Sequence, residues 1–89
     1  MSKDLYQGEE SMRLTPIGSN MTELYIYKGY NLGISILFSY STPVAGYDID
    51  GAFRTGDWYS STTTRHINKY LGKGNGREVS QDYIDSLVS

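Results

Sequence analysis

Apolar and polar side chains alternate along the first half of the chain. In segment 21–28, Leu24 and Ile26 alternate with two tyrosines, and from residue 32 to residue 41 apolar residues alternate with serines. A period of two is that of a β-strand whose side chains point to opposite faces of a sheet. The pattern therefore predicts two strands, and one of the two pairs in the first strand is expected to face away from the main core.

Shorter strand segments are predicted on either side of these two. Residues 12–15 alternate before Pro16 interrupts the run, which is typical of a short edge strand. Pro43 has no backbone N–H to donate, so segment 41–43 is expected to be a bend or an edge position. Pairing is expected to resume at Val44.

A hairpin is predicted in the middle of the chain. Asp50 and Gly51 lie between segments 44–49 and 52–55, and an Asp-Gly pair supplies the positive φ angles of a tight two-residue turn. Residues 58–59 are a candidate for one more short strand. The expected sheet is antiparallel throughout.

Two helices are predicted in the second half of the chain. The Ser/Thr run 60–64 favours an N-terminus, helical spacing follows it, and Gly72 is a plausible C-cap. The face expected to pack on the sheet consists of Thr63, Ile67, Tyr70 and Leu71. Ser80 is expected to cap a second helix, whose apolar stripe consists of Tyr83, Ile84, Leu87 and Val88. Because so short a helix is marginal alone, we expect it to dock on the domain or to join two chains as a homodimer.

These elements predict an α+β fold with a small antiparallel sheet of about four to five strands, one packed helix and a short C-terminal helix. Four segments are expected along the chain. Residues 1–11 form an arm, residues 12–72 the α+β domain, residues 73–79 a glycine-rich connector, and residues 80–89 the C-terminal helix.

Composition limits the classes of function. The chain has 89 residues, a net charge of -2 and no cysteine, which argues against a generic nucleic-acid binder and removes thiolate chemistry. The first ten residues do not resemble a signal peptide, and the longest apolar stretch is too short to cross a bilayer. We therefore expect a cytoplasmic protein, in the host cytoplasm if the protein is viral, with no membrane partner.

No catalytic constellation is apparent, and the expectation is that the protein is not an enzyme. His66 is the only histidine, and we interpret it as a structural or contact residue on the border of the first helix. Asp48 and Asp50 superficially resemble the start of a calcium loop, but the further ligands are missing. Asp48 is therefore expected to be solvated, and no metal or cofactor is expected.

The aromatic residues indicate a contact surface, since tyrosine and tryptophan are enriched at protein interfaces. The alternative is that they simply fill the edge of a small core. The candidate partner-binding residues are Tyr25, Tyr27, Tyr30, Tyr47, Trp58 and Tyr59.

A second candidate function is the binding of a nucleic acid or a nucleotide. Hydroxyls and free amides at a helix start can hold a phosphate, although helix capping alone explains them as well. The candidate anion contacts are Thr62, Thr63, Arg65, His66, Lys69 and Lys73.

Two further pieces of sequence carry a resemblance. Segment 39–45 reads SYSTPVA, and segment 59–66 reads YSSTTTRH. Together they resemble small proteins of phage and prophage genomes that pair an SY-x-TP-VA strand with a YS-x-TT-x-x-H helix start, with about one extra residue in the Ser/Thr run here. The resemblance implies a viral setting. It suggests a non-catalytic inhibitor of a host protein or defence complex, of the anti-CRISPR kind.

Overall fold

The computed structural model describes residues 11–27 and 33–89 of the chain. Six strands and two helices follow one another in that part. They are β1 (Ser11–Gly18), β2 (Met21–Tyr27), β3 (Gly33–Ser39), β4 (Thr42–Asp48), β5 (Gly51–Thr55), α1 (Ser61–Leu71), β6 (Arg77–Val79) and α2 (Gln81–Val88).

The strands form one sheet in the order of the chain, β1-β2-β3-β4-β5-β6. The first five are antiparallel neighbours, each joined to the next directly. β6 pairs with β5 in parallel, because α1 carries the chain back to the starting end of β5 before β6 begins. The fold is therefore an antiparallel meander with one parallel strand added at its edge.

One helix packs on each face of the sheet. Ile67 and Leu71 of α1 are buried with Leu37 in one core cluster, which defines the α1 face. Ile84 of α2 is buried with Ile36 in a second cluster, which defines the α2 face. Ile36 and Leu37 are adjacent on β3 and both fully buried, so the centre of the sheet is covered on both sides.

The α+β class with a largely antiparallel sheet is confirmed, but the number of strands is larger than four to five. The sixth strand, β6, lies in segment 73–79, which was expected to be a connector, and its parallel pairing corrects the fully antiparallel sheet. Residues 58–59, expected as a last strand, belong to neither a strand nor a helix and are exposed. Ser11 opens β1, and the rest of the predicted arm lies outside the described residues.

The two prolines occupy places where the pairing is irregular. Pro16 does not end the edge strand, which continues to Gly18 through a shift in register next to the proline. Pro43 lies inside β4, opposite Phe38, where a second register shift follows. A bulge or an edge tolerates the missing N–H group, so both prolines fit within strands instead of ending them.

The central hairpin is present with a turn that starts one residue earlier than predicted. Asp48 pairs with Gly51, so the two turn residues are Ile49 and Asp50. Gly51 has a φ of 104°, the left-handed region that favours glycine. The backbone N–H of Asp50 donates to Asp48 Oδ1 over 2.9 Å, which closes the turn.

The predicted helix caps are present. The side chains of Ser60 and Ser80 accept hydrogen bonds from the backbone N–H groups of Thr63 and Tyr83, at the starts of α1 and α2. The stripe of α2 packs on the sheet of its own chain, with Ile84 fully buried. A homodimer through α2 stays a prediction.

A carboxylate fixes this docking. Asp48 Oδ2 accepts a hydrogen bond from Arg77 Nη2 over 2.6 Å and another from the Tyr83 hydroxyl over 2.5 Å. Its side chain is only 4% exposed, so the expectation that Asp48 is solvated is wrong. The arrangement joins the end of β4, the start of β6 and the first turn of α2.

Two opposing effects set the acidity of Asp48. Burial by itself raises the pKa of a carboxyl group, but the hydrogen bonds from Arg77, Tyr83 and the Asp50 amide favour the charged form. The net result is a pKa below the usual value of 3.8. The stabilisation by Asp48 is therefore present above pH 3.8 and is lost as the pH falls through the lowered pKa.

We expect Asp48→Asn to lower the free energy of unfolding at neutral pH by about 1–2 kcal/mol, because the charged acceptor of three hydrogen bonds is lost. The difference from wild type should shrink toward zero in acid, where protonation makes the side chain of Asp48 neutral like that of asparagine. Urea denaturation at a series of pH values measures both. Asp57→Asn, which removes an exposed carboxylate, is the matched control, and an equal effect of the two variants would contradict the assignment.

Candidate functional site

A row of aromatic side chains crosses the α1 face. Ser35 on β3 pairs with Tyr25 on one side and with Tyr47 on the other. Residues in register point to the same face, so the two tyrosines lie two strand spacings, about 10 Å, apart. They are 38% and 40% exposed, respectively, although they lie on a face that α1 partly covers.

Both rings contact neighbouring elements of the chain. Tyr25 lies over Gly33, where a Cβ atom would clash with the tyrosine hydroxyl and displace the ring. Tyr47 packs on Tyr70 of α1 with 5.7 Å between ring centroids. The Tyr70 hydroxyl donates to Glu23 Oε2 on β2 over 2.5 Å, and burial together with this carboxylate raises the pKa of Tyr70.

A hollow of about 260 Å³ adjoins the row at the edge of the sheet. It is lined by Met12, Arg13, Tyr25 and Tyr27. Arg13 pairs with Tyr25, which brings a cation to the end of the aromatic row. We call Arg13, Tyr25, Tyr27 and Tyr47 the tyrosine face.

The remaining predicted aromatic contacts are not part of this face. Tyr47 pairs with Ala52 near the turn between β4 and β5, whereas Trp58 and Tyr59 follow the far end of β5. Trp58 is 74% exposed, so it lies on the surface at the opposite end of the sheet. Tyr30 lies outside the described residues. The five candidates that the structure describes therefore lie in at least two separate places on the surface.

The candidate anion contacts do not form one group either. Arg65, Lys69 and Lys73 are exposed and follow one another at four-residue steps, so they lie along the outer side of α1 and just beyond its end. The helix contains no acidic residue. Thr62 accepts a hydrogen bond from Arg65, whereas Thr63 is buried and faces the sheet.

His66 belongs to a chain of hydroxyl groups beneath α1. Ser60 Oγ donates to Thr63 Oγ1 over 3.2 Å, and Thr63 Oγ1 lies 3.0 Å from Ser39 Oγ. Ser39 Oγ in turn lies 2.8 Å from His66 Nδ1. Either oxygen can donate across the contact between Thr63 and Ser39, and the role of Nδ1 opposite Ser39 Oγ depends on the tautomer of His66.

The Ser39–His66 pair has the atoms of a nucleophile and base but not their setting. Ser39 is 2% exposed, so no substrate atom reaches its hydroxyl without moving α1. The hydroxyl is also shared with Thr63. The geometry therefore supports a structural role for His66, whose partner is the hydroxyl of Ser39.

Metal ligands are not grouped together in the described part of the chain. Within residues 11–27 and 33–89, no three His, Asp or Glu side chains are grouped so that they could hold a metal ion. Asp48, one of the two acids of the apparent calcium loop, is bonded to Arg77 instead. In the same part of the chain, no helix is long and apolar enough to cross a membrane.

Comparison with known proteins gives one result. A family model described as "Family of unknown function (DUF8033)" matches residues 12–86. The chain belongs to this family. Searches of curated proteins and of solved structures found no match.

Sequence reasoning missed two features of these surfaces. Ser39 was assigned to the polar side of its strand, but its link to His66 joins residues 27 positions apart and leaves no local signal. The left-handed backbone of Tyr40, with a φ of 57°, was not anticipated for so bulky a residue. Its ring packs 5.8 Å from that of His66.

We expect Ser39→Ala to lower the free energy of unfolding by about 1–3 kcal/mol, because His66 Nδ1 loses its buried partner. Ser41→Ala, in the exposed turn that follows, should change it by less than about 0.5 kcal/mol. Urea denaturation compares the variants, and ¹⁵N chemical shifts of His66 report the tautomer. Wild-type stability in Ser39→Ala would contradict the network described above.

Proposed function

We propose that the protein is a non-catalytic binding protein that docks a partner protein on its tyrosine face. The observation that carries the proposal is the exposed row of Tyr25 and Tyr47 on a face that α1 covers only in part. A rigid tyrosine contributes large contact area at little entropic cost, and its hydroxyl adds a hydrogen bond. Arg13 at the end of the row is another residue type that interfaces favour.

The preorganisation of the face supports this proposal. Tyr25 lies over Gly33, and Tyr47 packs against Tyr70. Side chains that are already fixed lose little freedom when a partner binds. The resemblance to phage proteins supports a role of the protein during phage infection. We accordingly propose a phage-encoded inhibitor that acts by occupying a surface of a host protein or defence complex, in the manner of anti-CRISPR proteins.

Binding of single-stranded nucleic acid is the second candidate. It is supported by the exposed cations Arg65 and Lys69 on α1 and Lys73 just beyond its end, and α1 itself contains no acidic residue. Cations in a row attract a phosphate backbone, and neighbouring tyrosines can stack bases. The buried, hydrogen-bonded Thr63 does not contribute to such a site.

For the leading proposal, we expect the tagged protein to retain one host protein in stoichiometric amount from a bacterial host. Tyr25→Ala and Tyr47→Ala should each weaken the interaction by about 10- to 100-fold, as truncation of a central tyrosine does. Trp58→Ala, at the other end of the sheet, is the control and should bind like wild type. Calorimetric titration with the purified partner measures the affinities, and thermal melts verify folding. Retention of nothing across several hosts, or loss of binding only in Trp58→Ala, would argue against the proposal.

For the second candidate, titration with a single-stranded oligonucleotide at about 50 mM and about 200 mM salt is the test. A nucleic-acid binder should lose affinity steeply between the two, and Lys69→Glu should weaken it further while Lys69→Arg does not. Fluorescence anisotropy gives the dissociation constants. No binding at the lower salt concentration rejects this candidate and leaves the first unaffected.

A further inference from the structure

The outer edge of β1 is the feature that the proposed function leaves unused. On its inner side, β1 pairs with β2 from Ser11 to Gly18, and no strand of the described chain pairs with its other side. A bare strand edge presents backbone N–H and C=O groups that another strand can pair with. The opposite edge of the sheet is β6, which has only three residues, two of them charged. Among the described strands, the long unpaired edge is therefore that of β1.

The side chains of this edge are apolar on the α2 face. Met12 pairs with Ile26 and Leu14 with Leu24, and those two partners are buried on that face. Met12 and Leu14 themselves are 62% and 66% exposed. Exposed apolar side chains on a bare edge strand are the pattern that protein sheets normally avoid, unless the edge pairs with another chain.

A groove continues this apolar surface. It has a volume of about 560 Å³ and extends from Met12 and Leu14 to the end of α2. It is lined by Met12, Leu14, Thr22, Leu24, Phe38, Tyr40, Ser41 and Val88, none of which is charged. The surface therefore suits a partner that pairs as a strand with the edge of β1 and places apolar side chains in the groove.

We propose that β1 pairs antiparallel with β1 of a second copy of this chain, about a two-fold axis perpendicular to the sheet. The two sheets then continue as one. Because the axis is perpendicular to the sheet, the α2 faces of both copies lie on the same side, and the two grooves meet at Met12 and Leu14 of both chains. This pairing does not depend on the partner proposed for the tyrosine face.

The sequence of β1 is complementary to itself in one register. With Leu14 opposite Leu14 of the second copy, Met12 lies opposite Pro16 and diagonal to Leu14, within reach of a long side chain. The one charged residue of the strand, Arg13, lies opposite Thr15, so no like charges meet. Since Pro16 cannot donate, about four backbone hydrogen bonds join the chains.

The first test is the mass of the full chain in solution, measured by sedimentation equilibrium up to about 1 mM, the range of weak association. We expect a concentration-dependent dimer for wild type and a monomer for Leu14→Lys. Ile49→Lys makes the same change at a residue that is 82% exposed in the β4–β5 turn, and it should dimerise like wild type. A monomeric wild type, or a Leu14→Lys variant that dimerises like wild type, overturns the proposal.

The second test reads the register. Since the chain has no cysteine, a single introduced cysteine can form a disulfide only with another copy. Leu14→Cys should cross-link on oxidation much faster than Met12→Cys or Ile49→Cys, because only residues opposite each other bring their Cβ atoms within disulfide range. Cross-linking at Leu14 no faster than at Ile49 rules out this pairing even if a dimer exists.

The third test separates a second copy from residues 1–10 as the occupant of the edge. We expect the chain that starts at Ser11 to dimerise with an affinity within a few-fold of the full chain. If only the shortened chain dimerises, residues 1–10 compete for the edge in the full chain, and the proposal fails for the full chain.

Discussion

The carboxylate of Asp48 joins three parts of the chain that are far apart in sequence. It accepts hydrogen bonds from Arg77 and Tyr83, which lie on β6 and α2. An eight-residue helix has little stability of its own, so α2 depends on contacts of this kind and on its buried Ile84. Once α2 is held, Ile36 and Phe53 have an apolar layer over them, and the second core exists.

At the centre of the sheet both faces are covered, and this limits the size of the side chains that fit there. The outer strands are not limited in this way. Gly46 lies on β4 between the backbone of β3 and the ring of Phe53, and a Cβ atom there would clash with the carbonyl of Ser35. The absence of a side chain at Gly46 therefore allows the backbone of β3 and the ring of Phe53 to lie close to the backbone of β4. On β1, by contrast, Met12 and Leu14 remain exposed.

The features that sequence reasoning predicted correctly depend on nearby residues. Helix starts at Ser60 and Ser80 follow from capping chemistry within one turn, and the strands of the meander follow from alternation within a few residues. Strand β6 was missed because three residues after a glycine-rich segment have no pattern of their own, and its existence depends on the open edge of β5. The sequence does not record strand direction either, which is why Trp58 was grouped with tyrosines that lie at the other end of the sheet.

The late position of β6 and α2 in the chain has a consequence for folding. Of the described residues, those up to Gly76 contain the meander and α1, whereas Val79, Tyr83 and Ile84, which pack in the second core with Ile36 and Phe53, come after it. The local contacts of the meander form quickly, whereas the β5–β6 pairing must wait for residues on the far side of α1. Until α2 docks, the α2 face of the meander therefore exposes apolar side chains, and partly folded states of this kind are prone to aggregate.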